Sequence, residues 1–296
     1  MGKTEKPSLA HTRLDEYPTP ELVAALIDDQ DAALRSVRAA APQLAAAVTA
    51  ALSRIEAGGR IVYVGAGTSG RLGLLDSVEL CPTFSWPAER AIALMAGGRD
   101  AVFQSAEGAE DSREQGAAAI AGAGVGPLDV VLLISASGTT PSTLGALHAA
   151  RAAGALTIGI VNNPGAAIAA GADIAITLDT GAELISGSTR LKAGTSQKIA
   201  LNAFSTALMV RLNKVYRNLM VDVQPNNNKL IRRTLMLTMH ATGADEPTAM
   251  TALEACDHHV KTAIVMILRR TGVADARARL DAAGGSVHGA LAKISR

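Results

Sequence analysis

GRIVYVGAGTSGRLGLLDSVELCPTF, residues 59–84, carries the reading of this chain. An apolar run, Ile61–Val64, leads into a loop of glycines and hydroxyls, and a helix is predicted to open at about Gly70. Strand, glycine loop and helix N-terminus together make an anion site. Glycine lets the backbone come close, the first helical amides lack internal partners, and the helix dipole favours negative charge. Thr68 and Ser69 add hydroxyls to the loop, and Glu79 stands near the helix end, where Pro82 is expected to stop it. A phosphate grip and an acid–base group on one short unit point to an enzyme.

Outward from this stretch, strand and helix alternate. Ala91–Met95, Val130–Ser135 and Thr157–Val161 are further short apolar runs, with Ile174–Leu178 weaker. Helical patterns fall between or after them at 70–80, 99–108, 112–122, 141–153 and 165–170. Such spacing predicts parallel βαβ units and an α/β doubly wound parallel sheet, whose sites lie at the carboxyl ends of the strands. Residues 1–18 read as a loose polar arm, and 20–57 as two helices broken near Ala41-Pro42. One long helix is predicted over Ser196–Leu219, capped by Thr195 or Ser196, with a break at Asn226-Asn227-Asn228. Helices follow at 229–242, 248–255, Val260–Arg270, Ala274–Ala283 and Gly289–Ser295. The expected organisation is an N-terminal arm and helices (1–57), an α/β domain (58–225) and a small C-terminal helical bundle (226–296).

Composition narrows the function classes. A chain of 296 residues holds a large core, and a formal net charge of +1 gives no broad basic field for nucleic acid or a membrane surface. Aromatics make up only 2%, which argues against base-stacking platforms. Cys81 and Cys256 suggest neither a disulfide framework nor a zinc site. The N-terminus lacks the apolar core of a secretory signal, and no run of about 20 apolar residues goes uninterrupted, so a soluble cytoplasmic protein is expected.

Gly65-Ala66-Gly67-Thr68-Ser69-Gly70 fits the dinucleotide pattern G-x-G-x-x-G. No acidic residue ends the second strand to hold a ribose, which disfavours a nicotinamide site. The second loop is more telling. Ser135, Ser137, Thr139, Thr140, Ser142 and Thr143 place six hydroxyls around Gly138, just where a helix starts with Pro141 near its first position. Ser/Thr caps serve their own backbone, but six hydroxyls exceed that need, and a phosphate monoester has three oxygens to satisfy. Ser137, Thr139 and Thr140 are the foremost phosphate candidates.

Glu79 and Glu110 form a candidate acid–base pair. At a helix C-terminus the dipole disfavours the ionised carboxylate, which suits Glu79 as an acid. Glu110 precedes a helix whose Ser112-x-x-Gln115 resembles a capping box, and a helix N-terminus favours the ionised form expected of a base. Asp76, Glu107 and Asp111 compete for these roles, Asp111 as a possible N-cap, and both glutamates are also readable as ordinary surface acids. Glu183 is a candidate for sugar hydroxyls and Arg190 or Lys192 for a carboxylate, and the whole segment is equally readable as a solvated connection. The histidines show no metal-ligand spacing.

The loops GAGTSGR and SASGTTPST resemble the sugar-isomerase (SIS) domain, a three-layer α/β/α fold that binds phosphosugars. More closely, the chain resembles the N-acetylmuramic acid 6-phosphate etherase family. The resemblance rests on 64–84, AGGRDAVFQSAEGAEDS (96–112), ISASGTTPSTLGAL (134–147), GSTRLKAGTSQKIALN (187–202), KVYRNLMVDVQPNNNKL (214–230) and the AR-x-x-L-x-x-AGG pattern from 276. It implies cleavage of a D-lactyl ether by elimination and water addition, with Glu110 as base and Glu79 as acid. It also implies a phosphorylated amino-sugar substrate met by Thr68, Ser69, Ser135, Ser137, Thr139, Thr140 and Glu183. No metal, nicotinamide or flavin is required, and a homodimer is implied. Where the family usually reads SECPPTF, this chain reads Val78-Glu79-Leu80-Cys81-Pro82-Thr83-Phe84, shifting Cys and Pro by one. The competing expectations are a non-catalytic phosphosugar sensor of the glucokinase-regulatory type and an aldose–ketose isomerase.

Overall fold

The computed structural model describes residues 2–104, 106–223 and 228–292. It divides into two compact units, Met1–Val78 with Ala88–Ser205, and Glu79–Pro87 with Thr206–Arg296.

The first unit is built on five parallel strands: β1 (Ile61–Gly65), β2 (Ala91–Met95), β3 (Val130–Ser135), β4 (Leu156–Val161) and β5 (Ile174–Thr177). Their spatial order is β2-β1-β3-β4-β5. Every residue of β1, β3 and β4 is buried, as central strands covered on both faces must be, while β2 and β5 at the edges are partly open. The helices are α1 (Thr19–Asp28), α2 (Asp31–Ala39), α3 (Ala41–Glu56), α4 (Gly67–Phe84), α5 (Arg113–Gly122), α6 (Pro141–Ala152), α7 (Ala167–Gly171) and α8 (Lys192–Arg211). On one face Val62, Val64, Val131 and Leu133 pack against Ile120 of α5, Leu144 and Leu147 of α6 and Ile168 of α7. On the other lie α3, against β3–β5, and α4, where buried Asp76 accepts from Tyr63 Oη of β1 at 2.8 Å. This is the doubly wound, three-layer arrangement expected from the sequence.

Helices α5 and α6 approach each other backbone to backbone through two glycines. A Cβ on Gly116 would lie 1.8 Å from the Ser142 carbonyl oxygen, and one on Gly145 would lie 1.9 Å from that of Arg113. Gly116→Val is therefore expected to force the pair apart and to cost about 1–3 kcal/mol or more. Thermal unfolding should show a midpoint several degrees lower, whereas an unchanged midpoint would mean that the contact is not tight.

Several boundaries differ from expectation, each for a physical reason. The N-terminal segment is docked, because Thr4 is fully buried and its amide and hydroxyl bond the Asn163 side chain at 3.3 and 3.0 Å. The helical 20–57 region breaks twice, after α1 and after α2, since Pro42 falls within the first turn of α3, where proline is tolerated. The helix expected over 99–108 is reduced to a 3-10 turn at Asp100–Val102. Arg71 of α4 donates to the carbonyls of Val102 (3.0 Å) and Ala101 (2.8 Å), to which helical amides would otherwise donate. Helix α8 starts earlier than Ser196 because Glu183 caps it from outside the local sequence, accepting from the amides of Lys192 (3.2 Å) and Ala193 (2.9 Å). It ends earlier than Leu219 at a Schellman turn: Asn213 is left-handed (φ 59), its amide meets Val210 O at 3.1 Å, and the Lys214 amide meets Met209 O at 3.0 Å.

The second unit packs α9 (Asn228–Thr242), α10 (Glu246–Ala255), α11 (Val260–Arg269), α12 (Val273–Ala282) and α13 (Val287–Leu291) around Leu253, Val260, Ile264, Ala276 and Leu280. Residues 226 and 227 of the expected asparagine break, and the end of the helix expected over Gly289–Ser295, lie outside the described residues.

Candidate active site

The strand order reverses direction between β1 and β3, so their carboxyl ends open a crevice with loop 65–70 on one side and loop 135–140 on the other. The first loop is compact: a Cβ on Gly70 would lie 2.6 Å from the Gly65 carbonyl oxygen, so only glycine allows the chain to fold back there. Helix α4 consequently begins at Gly67, three residues before the expected Gly70. Thr68 is half-buried beside the first turn of α8, where a Cβ on Gly194 would meet its Cγ2 at 3.3 Å. Ser69 is buried and donates to Gln197 Oε1 at 2.9 Å, and Gln197 in turn donates to Asn162 at 2.9 Å.

In the second loop the hydroxyls serve two ends. Ser135 Oγ lies 2.8 Å from Thr140 Oγ1 and accepts the Gly138 amide at 3.0 Å, while Ser137 Oγ accepts the Thr139 amide at 3.2 Å. Gly138 is left-handed (φ 68), and a side chain there would strike Ala166 at 2.4 Å. The hydroxyls thus shape the turn, Thr139 is exposed, and Thr140 at the N-cap of α6 makes no side-chain bond to the helix. The opening turn of α6 is left without a side-chain cap of its own, beside a cluster of hydroxyls, which is the disposition that accepts an anion.

Glu110 is exposed on the segment joining β2 to α5, and its position is fixed from two sides. Its carbonyl accepts the amide of Ser142 in α6 at 2.9 Å, tying its backbone to the hydroxyl-lined helix mouth. Upstream, Arg71 grips the carbonyls of the 3-10 turn. A cavity of about 340 Å3, lined by Ala66, Gly67, Arg71, Ala96, Glu107 and Glu110, opens here, and one of about 480 Å3 shares Met95, Ala96 and Ala109 in its wall. Both volumes fall within the roughly 300–1,000 Å3 usual for small-molecule sites.

Glu79 is exposed on α4. The helix does not stop at Pro82 but runs on to Phe84. Pro82 removes one rung, the bond to the Val78 carbonyl, without ending the helix. Glu79 therefore stands more than a turn before the helix end. Among the competing acids, Asp76 is 4% exposed and engaged by Tyr63, Asn202 (2.7 Å) and Ser205 (3.1 Å), which makes it a structural acceptor. Asp111 is not the cap of α5: Ser112 is, accepting the Gln115 amide at 3.1 Å. Glu107 lines the same cavity as Glu110.

Glu183 is fully buried, with both carboxylate oxygens on the amides of α8. Burial pushes its carboxyl above the ordinary range, and those two bonds oppose the shift. Lys192 is buried and donates to Asp29 at 2.6 Å, while Arg190 is exposed. The sequence did not single out Arg71, which directly follows the glycine loop, or Asn162 and Asn163, which bond Gln197 and the Ala136 carbonyl respectively.

No helix among the described residues is long and apolar enough to cross a membrane. Residues 43–151 match the model of the glucokinase regulatory protein N-terminal SIS domain, and residues 100–207 match that of the SIS domain. A phosphoheptose isomerase from Francisella tularensis superposes with a TM-score of 0.50 at 17% identity, covering 66% of this chain and 100% of that one, which attests the fold. An N-acetylmuramic acid 6-phosphate etherase from Deinococcus radiodurans is 56% identical over 283 residues, 96% of this chain and 93% of the relative. Those of Cutibacterium acnes and Escherichia coli O7:K1 are 45% and 43% identical, each over 98% of this chain. Held together by its SIS fold and by identity along nearly its whole length, this chain belongs to the N-acetylmuramic acid 6-phosphate etherase family.

Proposed function

We propose that the chain is a carbon–oxygen lyase that converts N-acetylmuramic acid 6-phosphate and water into N-acetylglucosamine 6-phosphate and D-lactate, in the recycling of cell-wall sugars. The 6-phosphate sits at the mouth of α6 among Ser137, Thr139 and Thr140. In the ring-opened sugar the C1 aldehyde acidifies the C2 proton, which Glu110 removes. The electron pair first rests as the enolate of that aldehyde; it then forms the C2–C3 double bond as the C3–oxygen bond breaks, and Glu79 protonates the departing lactate oxygen. Water then adds at C3 as Glu79 takes its proton and Glu110 returns one to C2. Ser69 and Glu183 act from behind the substrate, through the Gln197–Asn162 bonds and the start of α8 respectively, while Thr68 flanks it. The enzyme works in the cytoplasm as a homodimer.

The observation that carries this reading is the bond from the Ser142 amide to the Glu110 carbonyl, which couples the proposed base to the proposed phosphate cradle. Incubation with N-acetylmuramic acid 6-phosphate should release free D-lactate. Binding without lactate would mark a sensor, and interconversion of aldose and ketose phosphates without lactate would mark an isomerase. Either result would overturn the proposal.

A further inference from the structure

The segment Lys214–Val223, KVYRNLMVDV, is densely bonded within the second unit. Tyr216 and Leu219 pair their backbones at 3.1 and 2.9 Å, and the Arg217 guanidinium lies 5.1 Å from the Tyr216 ring centre. Asp222, between buried Val221 and Val223, accepts Lys214 Nζ at 2.7 Å and Lys261 Nζ at 3.0 Å on one oxygen, and its other oxygen is 4.0 Å from His259 Nε2. Lys261 is only 5% exposed. Burying the Lys261 ammonium, with the partly buried one of Lys214, on one carboxylate is costly in desolvation, so such a cluster is weak evidence for stability and better explained by the geometry it fixes.

What it fixes is the exit of α4. The backbone carbonyl of Asp222 accepts the hydroxyl of Ser85, the first residue after that helix. Ser85 is held at φ 49, a left-handed conformation that L residues other than glycine and asparagine seldom adopt. Trp86 turns back to the Leu80 carbonyl at 3.4 Å, and Leu80, Phe84 and Trp86 are all buried. The last turns of α4 also lack the rung that Pro82 cannot donate. Helical bonding alone therefore does not fully set this stretch, and Glu79 sits on it.

We infer that Asp222, clamped by Lys214 and Lys261 and bonded through its carbonyl to Ser85, is a positioning residue that sets the direction in which α4 presents Glu79. The inference rests on the etherase reading, in which Glu79 serves the ether-cleaving step and Glu110 the C2 proton. It therefore predicts an uneven defect. In Ser85→Ala, D-lactate release should fall about tenfold, with exchange of the C2 hydrogen of N-acetylglucosamine 6-phosphate in heavy water kept within about twofold of wild type. Asp222→Asn should show the same bias, but it leaves Lys261 without a counter-charge and is exposed to misfolding. Ser85→Ala disturbs no buried charge, and its thermal unfolding should match wild type. Equal loss of both activities in folded Ser85→Ala, or loss of neither, would overturn the inference while leaving the etherase reading intact. Failure of the wild-type protein to release lactate would instead overturn the etherase reading and the inference with it.

Discussion

Glu110→Gln is expected to lower D-lactate release by about three orders of magnitude and to abolish exchange of the C2 hydrogen of N-acetylglucosamine 6-phosphate in heavy water. A glutamine of the same shape keeps the backbone bond from Ser142 but has no basic oxygen for the C2 proton. Glu79→Gln should be equally poor at releasing lactate, because the leaving oxygen then departs without a proton, yet its C2 exchange should persist, since that step needs only Glu110. The two variants together separate the two halves of the reaction. Exchange lost in Glu79→Gln and retained in Glu110→Gln would reverse the assignments. Both glutamates are exposed, so neither substitution should disturb folding, and matched unfolding midpoints would establish that.

Removal of Ser137 and Thr139 hydroxyls together should weaken phosphorylated ligands severely. Each hydrogen bond to a charged phosphate oxygen contributes about 1.5–3 kcal/mol, so two should raise KM for the 6-phosphate by about two orders of magnitude or more. Affinity for the unphosphorylated sugar should hardly change. Ser137 Oγ also accepts the Thr139 amide, so part of the loss arises from a loosened turn, and the ratio between phosphorylated and unphosphorylated ligands is the quantity to read. Equal weakening of both ligands would exclude a phosphate role for this pair.

What was legible in the sequence is what local pattern controls. β1, β3 and β4 announce themselves as unbroken apolar runs because both faces are buried, and the glycine and hydroxyl loops directly after β1 and β3 fall at the crevice for the same reason. The Ser112 cap of α5 was readable from adjacent residues. The misplaced features share another origin, in which a backbone group is satisfied by a side chain far away in sequence. Glu183 caps α8 from nine residues upstream of Lys192, Arg71 consumes the carbonyls of the 100–104 turn, and Asn163 holds Thr4 across the unit. No periodicity records such bonds. Pro82 misled in the opposite sense: a single missing rung does not end a helix whose neighbouring Leu80 and Phe84 are buried.

Elimination through C2 can be read directly by running the wild-type reaction on N-acetylmuramic acid 6-phosphate in heavy water and examining the N-acetylglucosamine 6-phosphate by proton NMR. Deuterium at C2 of the newly formed product is the expected result, because the carboxyl of exposed Glu110 exchanges its hydron with solvent before it returns one to that carbon. Product that retains its original C2 hydrogen, with lactate released at full rate, would contradict proton abstraction by Glu110 and the paired-carboxylate mechanism built on it.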